Sequence, residues 1–216
     1  DALNHSVSII EIDPNLRPEF SHSFSASADC YHTFGKVQTN LMLEGFYTIL
    51  DDVFTLEKIG EDADGNILKE RRNASGAKIG GLSAELKVGI PDIFDVQLGY
   101  TFQRSLYDAP EQWTDALDPQ RRMFRAPDHY GYLTSNFFIT RDLYATLFGT
   151  FTGPMLVQHN AYSVDGVDFG DSEVMTESFW DFGVKVSYTF RLTNAIDMEV
   201  MAGIKNIFSS YERDVD

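Results

Sequence analysis

One cysteine, Cys30, is all the thiol chemistry that the 216 residues offer. No internal disulfide is possible, and a lone thiol without a polarising neighbour is a poor nucleophile. Long apolar runs are missing as well: none approaches the ~18 residues of a membrane-spanning helix. Positive charge is scarce, with 17 Lys plus Arg against 33 Asp plus Glu and a formal net charge of −16. Nucleic-acid binding needs a basic face that displaces counterions, so that class is excluded. No Gly-x-Ser-x-Gly elbow, phosphate loop or dinucleotide fingerprint occurs. His5, His22, His32, His129 and His159 lack ligand spacing, and no cysteine cluster accompanies them. The run Glu61-Asp62-Ala63-Asp64-Gly65-Asn66 starts like a calcium loop but lacks the later bidentate Glu, so it reads as a loop tip. The sequence therefore predicts no catalytic residue, no metal set and no cofactor. It opens Asp1-Ala2-Leu3-Asn4 without a basic-then-apolar leader, which suggests a mature piece.

Aromatic residues and alternation are what the chain has in abundance. Aromatics make up 13% of it, with 17 Phe and 10 Tyr. From Ser21 to Phe34 one register carries Ser21, Ser23, Ser25, Ser27 and Asp29, and the other carries Phe24, Ala26, Ala28, Cys30 and Phe34. Strand side chains alternate faces, so this segment has one wet face and one greasy face.

Eight such strands are predicted, over 21–34, 37–50, 78–90, 93–103, 129–139, 143–152, 178–191 and 195–208. Short turns at Gly35-Lys36, Pro91-Asp92, Thr140-Arg141-Asp142 and Leu192-Thr193-Asn194 alternate with long connections at 51–76, 104–128 and 153–177. Phe94, Val96, Leu98, Tyr100 and Phe102 oppose Asp95, Gln97, Thr101 and Gln103, and Ile196, Met198, Val200, Ala202 and Ile204 oppose Asp197, Glu199 and Lys205. Long strands with all short turns on one side describe an all-β, antiparallel, up-and-down transmembrane barrel. A charge at the lipid midplane costs roughly 2–4 kcal/mol, so Glu85, Lys87, Glu199 and Lys205 belong on the lumen-facing wall, the first two paired and the last two paired. The long-loop side is expected to face the cell exterior. Gly80 and Gly81 within a strand predict a bulge or a close backbone approach.

The three long connections carry much of the acidity: seven acidic against four basic residues over 51–76, five against four over 104–128, and five against none over 153–178. The one basic-aromatic cluster joins Arg104, Arg121, Arg122 and Arg125 with Tyr107 and Trp113. Tyr107, Trp113, Arg121, Arg122 and Arg125 are the candidate contacts for a small-molecule or metal-chelate ligand. Arginines at a bilayer rim also bind lipid phosphates.

Three segments carry a family resemblance. The run Asp13-Pro14-Asn15-Leu16-Arg17-Pro18-Glu19-Phe20-Ser21 resembles the N-x-x-L-x-P-E-x-S lead-in to a late barrel strand of TonB-dependent outer-membrane receptors. The stretch from Asn73 through Gly76 and Gly80 to Glu85 is similar to an intermediate strand opening. Gly203-Ile204-Lys205-Asn206-Ile207-Phe208 with Tyr211 resembles the penultimate-strand ending. Leu16, Pro18, Glu19, Asn206, Phe208 and Tyr211 are the motif positions. The resemblance implies the C-terminal segment of a receptor barrel across 1–216: a loop lead-in at 1–20, eight strands over 21–208 and a truncated loop at 209–216, without the last strand. It further implies import of a scarce nutrient (ferric siderophore, haem, cobalamin or glycan) driven through TonB. The partners would be the plug domain, TonB and outer-membrane lipid or lipopolysaccharide, and the site the bacterial outer membrane. The residue pattern alone also admits a complete eight-stranded anchor or adhesin, or a soluble β-sandwich binding protein.

Overall fold

The computed structural model describes residues 8–63, 65–159, 161–164 and 167–208. Eight long strands form the wall: β1 (Phe20–Phe34), β2 (Val37–Asp51), β3 (Ala77–Ile90), β4 (Phe94–Glu111), β5 (His129–Phe138), β6 (Leu143–Thr152), β7 (Phe179–Thr193) and β8 (Ile196–Ile204). Each pairs antiparallel with the next in chain order, and the short strand Gln120–Arg122 adds to β4 as the ninth member of the sheet. This is the expected meander. Among the described residues its ends, β1 and β8, each have one neighbour in the sheet order, so these eight strands form an open wall and do not close on one another.

The turns follow local chemistry. Gly35 has φ +63° and Asp92 φ +61°, left-handed values that glycine takes freely and Asp tolerates. At Thr140 the hydroxyl accepts the amides of Asp142 and Leu143, fixing the β5–β6 reversal.

Register sorts the faces. Leu41, Leu86, Leu98, Leu133, Gly149 and Phe182 lie side by side across β2 to β7. One residue along, Met42, Glu85, Gly99, Tyr132, Thr150 and Asp181 line up on the opposite face. On the apolar face Leu98, Tyr100 and Phe102 are 49%, 48% and 48% exposed, and Leu82 67%. A soluble sandwich hides such rows between two sheets. Here, among the described residues, they lie open on one face of a single wall, which counts against a sandwich and suits a lipid-facing surface. No helix among the described residues is long and apolar enough to cross a membrane, which is silent on strands.

Around Gly80 and Gly81 the pairing runs without a register shift, so the two glycines serve a close approach and not a bulge. A Cβ on Gly81 would meet the Phe46 ring and the Phe102 carbonyl at 2.5 Å. Phe137 and Phe138, adjacent aromatics whose alternation is ambiguous in sequence, split between the two faces.

The connections at one end hold more structure than predicted. β4 runs on to Glu111, past the expected end near Gln103. Phe54–Glu61 and Ile67–Asn73 make a hairpin, and Ser8–Ile12, within the segment expected to be a loop lead-in, joins it in parallel. Leu156–His159 pairs with Ser172–Met175, and Tyr162–Val164 with Val167–Phe169. The buried apolar cluster of Val53, Ala74, Ala77 and Tyr107, with Leu50 and Met123 against it, sits where this loop layer meets the wall.

Candidate functional site

Alternation within the 54–73 hairpin builds one side of a pocket. Leu56 lies opposite Arg71, so Phe54, Leu56, Lys69 and Arg71 share a face. The other face is closed by ion pairing, with Arg72 on Glu57 and, at 3.5 Å, on Glu111. Tyr107, Trp113, Phe124, Arg125 and Gln158 complete a cavity of about 540 Å³. Four aromatic rings and three cations thus surround one space at the long-loop end.

The loops that hold the pocket are tied together by acidic residues. Trp113 Nε1 donates to Glu173 at 3.1 Å, and the Gln120 amide donates to the same carboxylate. Asp171 accepts the Thr114 hydroxyl at 2.9 Å and lies 3.6 Å from Lys58 Nζ. Arg125 adopts φ +55°, rare for a residue with a side chain, and its amide donates to the Leu156 carbonyl at 2.8 Å. Among the described residues no carboxylate lies within ion-pairing distance of Lys69, Arg71 or Arg125. Burial pushes the Lys69 ammonium below its usual range; Asp171 opposes this, while Arg125 and Lys58 add repulsion. Cations that line one space with aromatic rings, and that pair with no carboxylate among the described residues, suit an anionic ligand.

The basic-aromatic cluster expected from sequence divides in space. Tyr107, Trp113 and Arg125 line the pocket. Arg121 instead donates to the carbonyls of Tyr107 and Asp108 and lines a separate hollow. Arg122 and Arg104 both bond Asp128. Lys69, Arg71, Phe54 and Phe124 were not among the predicted contacts. The signal for the first three was the alternation on both sides of the Asp62–Asn66 turn, hidden by reading 51–76 as one irregular connection. That turn closes on Asp62, whose carboxylate accepts the Asn66 amide at 2.8 Å; Asp64 lies outside the described residues.

On the polar face, Lys87 Nζ stands 2.8 Å from Glu85, and Gln97 and Tyr132 both donate to Glu85. The expected Glu199–Lys205 pair does not form. Six residues along a strand span about 20 Å; Glu199 accepts instead from the Tyr144 hydroxyl at 2.7 Å, and Lys205 lies past the end of β8.

The motif segments touch. Arg17 donates its amide to the Asn73 side chain at 2.8 Å, and the Asn73 amide group returns bonds to the carbonyls of Arg17 and Asp52. Leu16 closes a turn on Asp13, Pro18 precedes β1, and Glu19 accepts the Phe54 amide at 3.1 Å. At the other end the Asn206 amide donates to Asp181, and Phe208 packs edge-on to Phe182. Tyr211 and His5 lie outside the described residues.

The family model described as TonB dependent receptor-like, beta-barrel matches residues 4–207. No curated protein matches the chain. Among solved structures, the ferric-catecholate import receptor Fiu of E. coli K12 is 18% identical, with a TM-score of 0.55 over 91% of this chain and 24% of that one. The outer membrane transporter YddB of Escherichia coli is 10% identical, with a TM-score of 0.61 over 94% and 30%. The pyoverdine receptor FpvA of Pseudomonas aeruginosa PAO1, bound to pyoverdine, is 15% identical, with a TM-score of 0.56 over 89% and 26%. At these identities the likeness is one of fold. The chain spans about a quarter to a third of the length of these receptors.

Proposed function

Because this chain belongs to the TonB-dependent receptor β-barrel family, we propose that it supplies eight wall strands and three external loops to a receptor that imports a scarce nutrient across a bacterial outer membrane. The family consists of transporters and not enzymes. In this reading residues 1–216 are the C-terminal segment of the barrel, β1 and β8 continue into further strands, and Glu85, Lys87, Glu199 and Lys205 face the plug. TonB would deliver the energy for passage.

One observation carries the ligand class. Lys69, Arg71 and Arg125 meet Phe54, Tyr107, Trp113 and Phe124 around about 540 Å³ in a chain that is otherwise strongly acidic. That lining favours an anionic chelate with aromatic groups, a ferric siderophore, over an uncharged glycan. Import of a ferric catecholate by Fiu and binding of pyoverdine by FpvA agree with this choice.

The test uses the full-length receptor and a ferric tricatecholate, followed through tryptophan fluorescence. Arg71→Ala with Arg125→Ala should weaken binding about tenfold or more. Unchanged affinity in that variant, or wild-type binding of a neutral oligosaccharide as tight as that of the chelate, defeats the assignment.

A further inference from the structure

Trp113 is only 4% exposed, yet its side chain lines the ligand pocket. Its Nε1 donates to one oxygen of Glu173 at 3.1 Å, and the Gln120 side-chain amide donates to the other. Glu173 lies directly across its hairpin from Gln158, a lining residue, so the two share a face. Glu173 itself is not part of the lining. A bare carboxylate beside a space for an anion would repel it. Here each oxygen already holds a neutral donor. An indole N–H can only donate, and an ionised acceptor grips it more strongly than a neutral one.

The fastening of the loops is done elsewhere. Asp171 accepts the Thr114 hydroxyl at 2.9 Å and the Ala161 amide at 2.8 Å, and stands 3.6 Å from Lys58 Nζ. It thereby joins all three long connections. The Lys58 amide also donates to the Trp113 carbonyl at 2.9 Å, and the Thr176 amide to the Met155 carbonyl at 2.9 Å. What is left to Glu173 is the Trp113 ring. A bond at Nε1 fixes how that ring is turned about its side-chain torsions.

We propose that Glu173 is a positioning residue: it holds the Trp113 ring in the pocket wall, and the pair sets the preference for aromatic over non-aromatic anionic chelates. The selectivity rests on the ligand reading given above. Lys69, Arg71 and Arg125 attract any anion, whereas a ring fixed at the wall favours an aromatic one.

The experiment uses full-length receptor in two arms. In the first, protein labelled with 5-fluorotryptophan is followed by fluorine NMR without ligand, and Trp113→Phe assigns the signal. Glu173→Ala should shift the Trp113 resonance. Glu173→Gln should keep it near its original position, because a Gln oxygen still accepts the indole N–H and Gln120 can turn its amide to match. In the second arm, calorimetry on unlabelled protein compares a ferric tricatecholate with ferric citrate, an anionic chelate without aromatic rings. Glu173→Ala should lower the tricatecholate-to-citrate affinity ratio about fivefold, and Glu173→Gln should leave it within about twofold of the unaltered protein. An unmoved Trp113 signal in Glu173→Ala, or equal loss of both chelates, makes Glu173 a general loop staple and overturns the proposal. So does a Glu173→Gln variant as impaired as Glu173→Ala. Failure of the unaltered receptor to hold the tricatecholate defeats the ligand reading and the selectivity with it, while the resonance still decides whether Glu173 places the ring.

Discussion

The ring of Tyr132 lies across Gly99: a Cβ at position 99 would collide with Tyr132 Cε1 and stand 2.6 Å from Cζ. The hydroxyl at the end of that ring bonds Glu85 and Gln97. A missing side chain on β4 thereby seats a polar cluster that spans β3, β4 and β5.

Gly99→Ala should push the ring off its seat and destabilise the receptor by about 1–3 kcal/mol, the usual cost of overpacking. The double variant Gly99→Ala, Tyr132→Ala should be no worse than Tyr132→Ala alone, since the clash has gone. Denaturant unfolding in detergent measures both; additive losses would sink the account.

The four wall charges make a separate prediction about the plug. On the proposal that Glu85, Lys87 and Glu199 on the wall, with Lys205 just past β8, face the plug, neutralising all four should loosen plug retention or slow uptake. Radiolabelled ligand uptake by cells carrying the variant checks it, and full transport refutes the role.

Much of the wall was legible because its chemistry repeats every second residue. The alternation from Ser21 to Phe34 or from Phe94 to Phe102 needs no tertiary information: lipid on one side and water on the other impose it. Where both faces of a strand end in aromatics, as at Phe137 and Phe138, the pattern is silent and pairing with β4 and β6 decides. The loop pocket was half visible. Tyr107, Trp113 and Arg125 stood out as aromatics and arginines close in sequence, but the partition that sends Arg121 outward depends on which carbonyls lie nearby. Lys69 and Arg71 come from another loop, and no local signal joins the two loops. Pairs such as Trp113 with Glu173 are 60 residues apart and arise only when the loops pack.

Lys69 gives the pocket a pH dependence with a definite sign. Its folded pKa lies below the usual lysine range, chiefly through burial. The penalty of holding the ammonium there is fully present below the folded pKa and is relieved as pH rises through it toward the unfolded value, so the loop layer gains stability over that window. Anion affinity moves the opposite way, because the charge that attracts the ligand is lost. Titrating chelate binding into the alkaline range should show affinity falling at a lower pH than the loss of charge on an ordinary, solvated lysine would give. Lys69→Arg, which stays charged, should remove the fall; a flat profile in the parent protein contradicts the placement.

Asn73 offers the sharpest test of how the lead-in is held. Its side chain accepts the Arg17 amide at 2.8 Å and donates to the carbonyls of Arg17 and Asp52 at 3.0 and 2.7 Å. Three bonds through one amide group fasten the segment before β1 to the base of the loop hairpin, with the Arg17–Asp52 pair at 2.5 Å beside them. Asn73→Ala removes all three and should cost about 1–3 kcal/mol locally. Asn73→Asp keeps the acceptor for the Arg17 amide but sets a carboxylate against two carbonyl oxygens, so it should be at least as damaging despite its near-identical shape. Hydrogen exchange would report faster exchange at the Arg17 amide and through Ser8–Ile12, which hangs on the same hairpin, with β3 to β6 unaffected. Protection lost evenly along the whole wall, or not lost at Arg17, would mean that the lead-in is held by something other than this side chain.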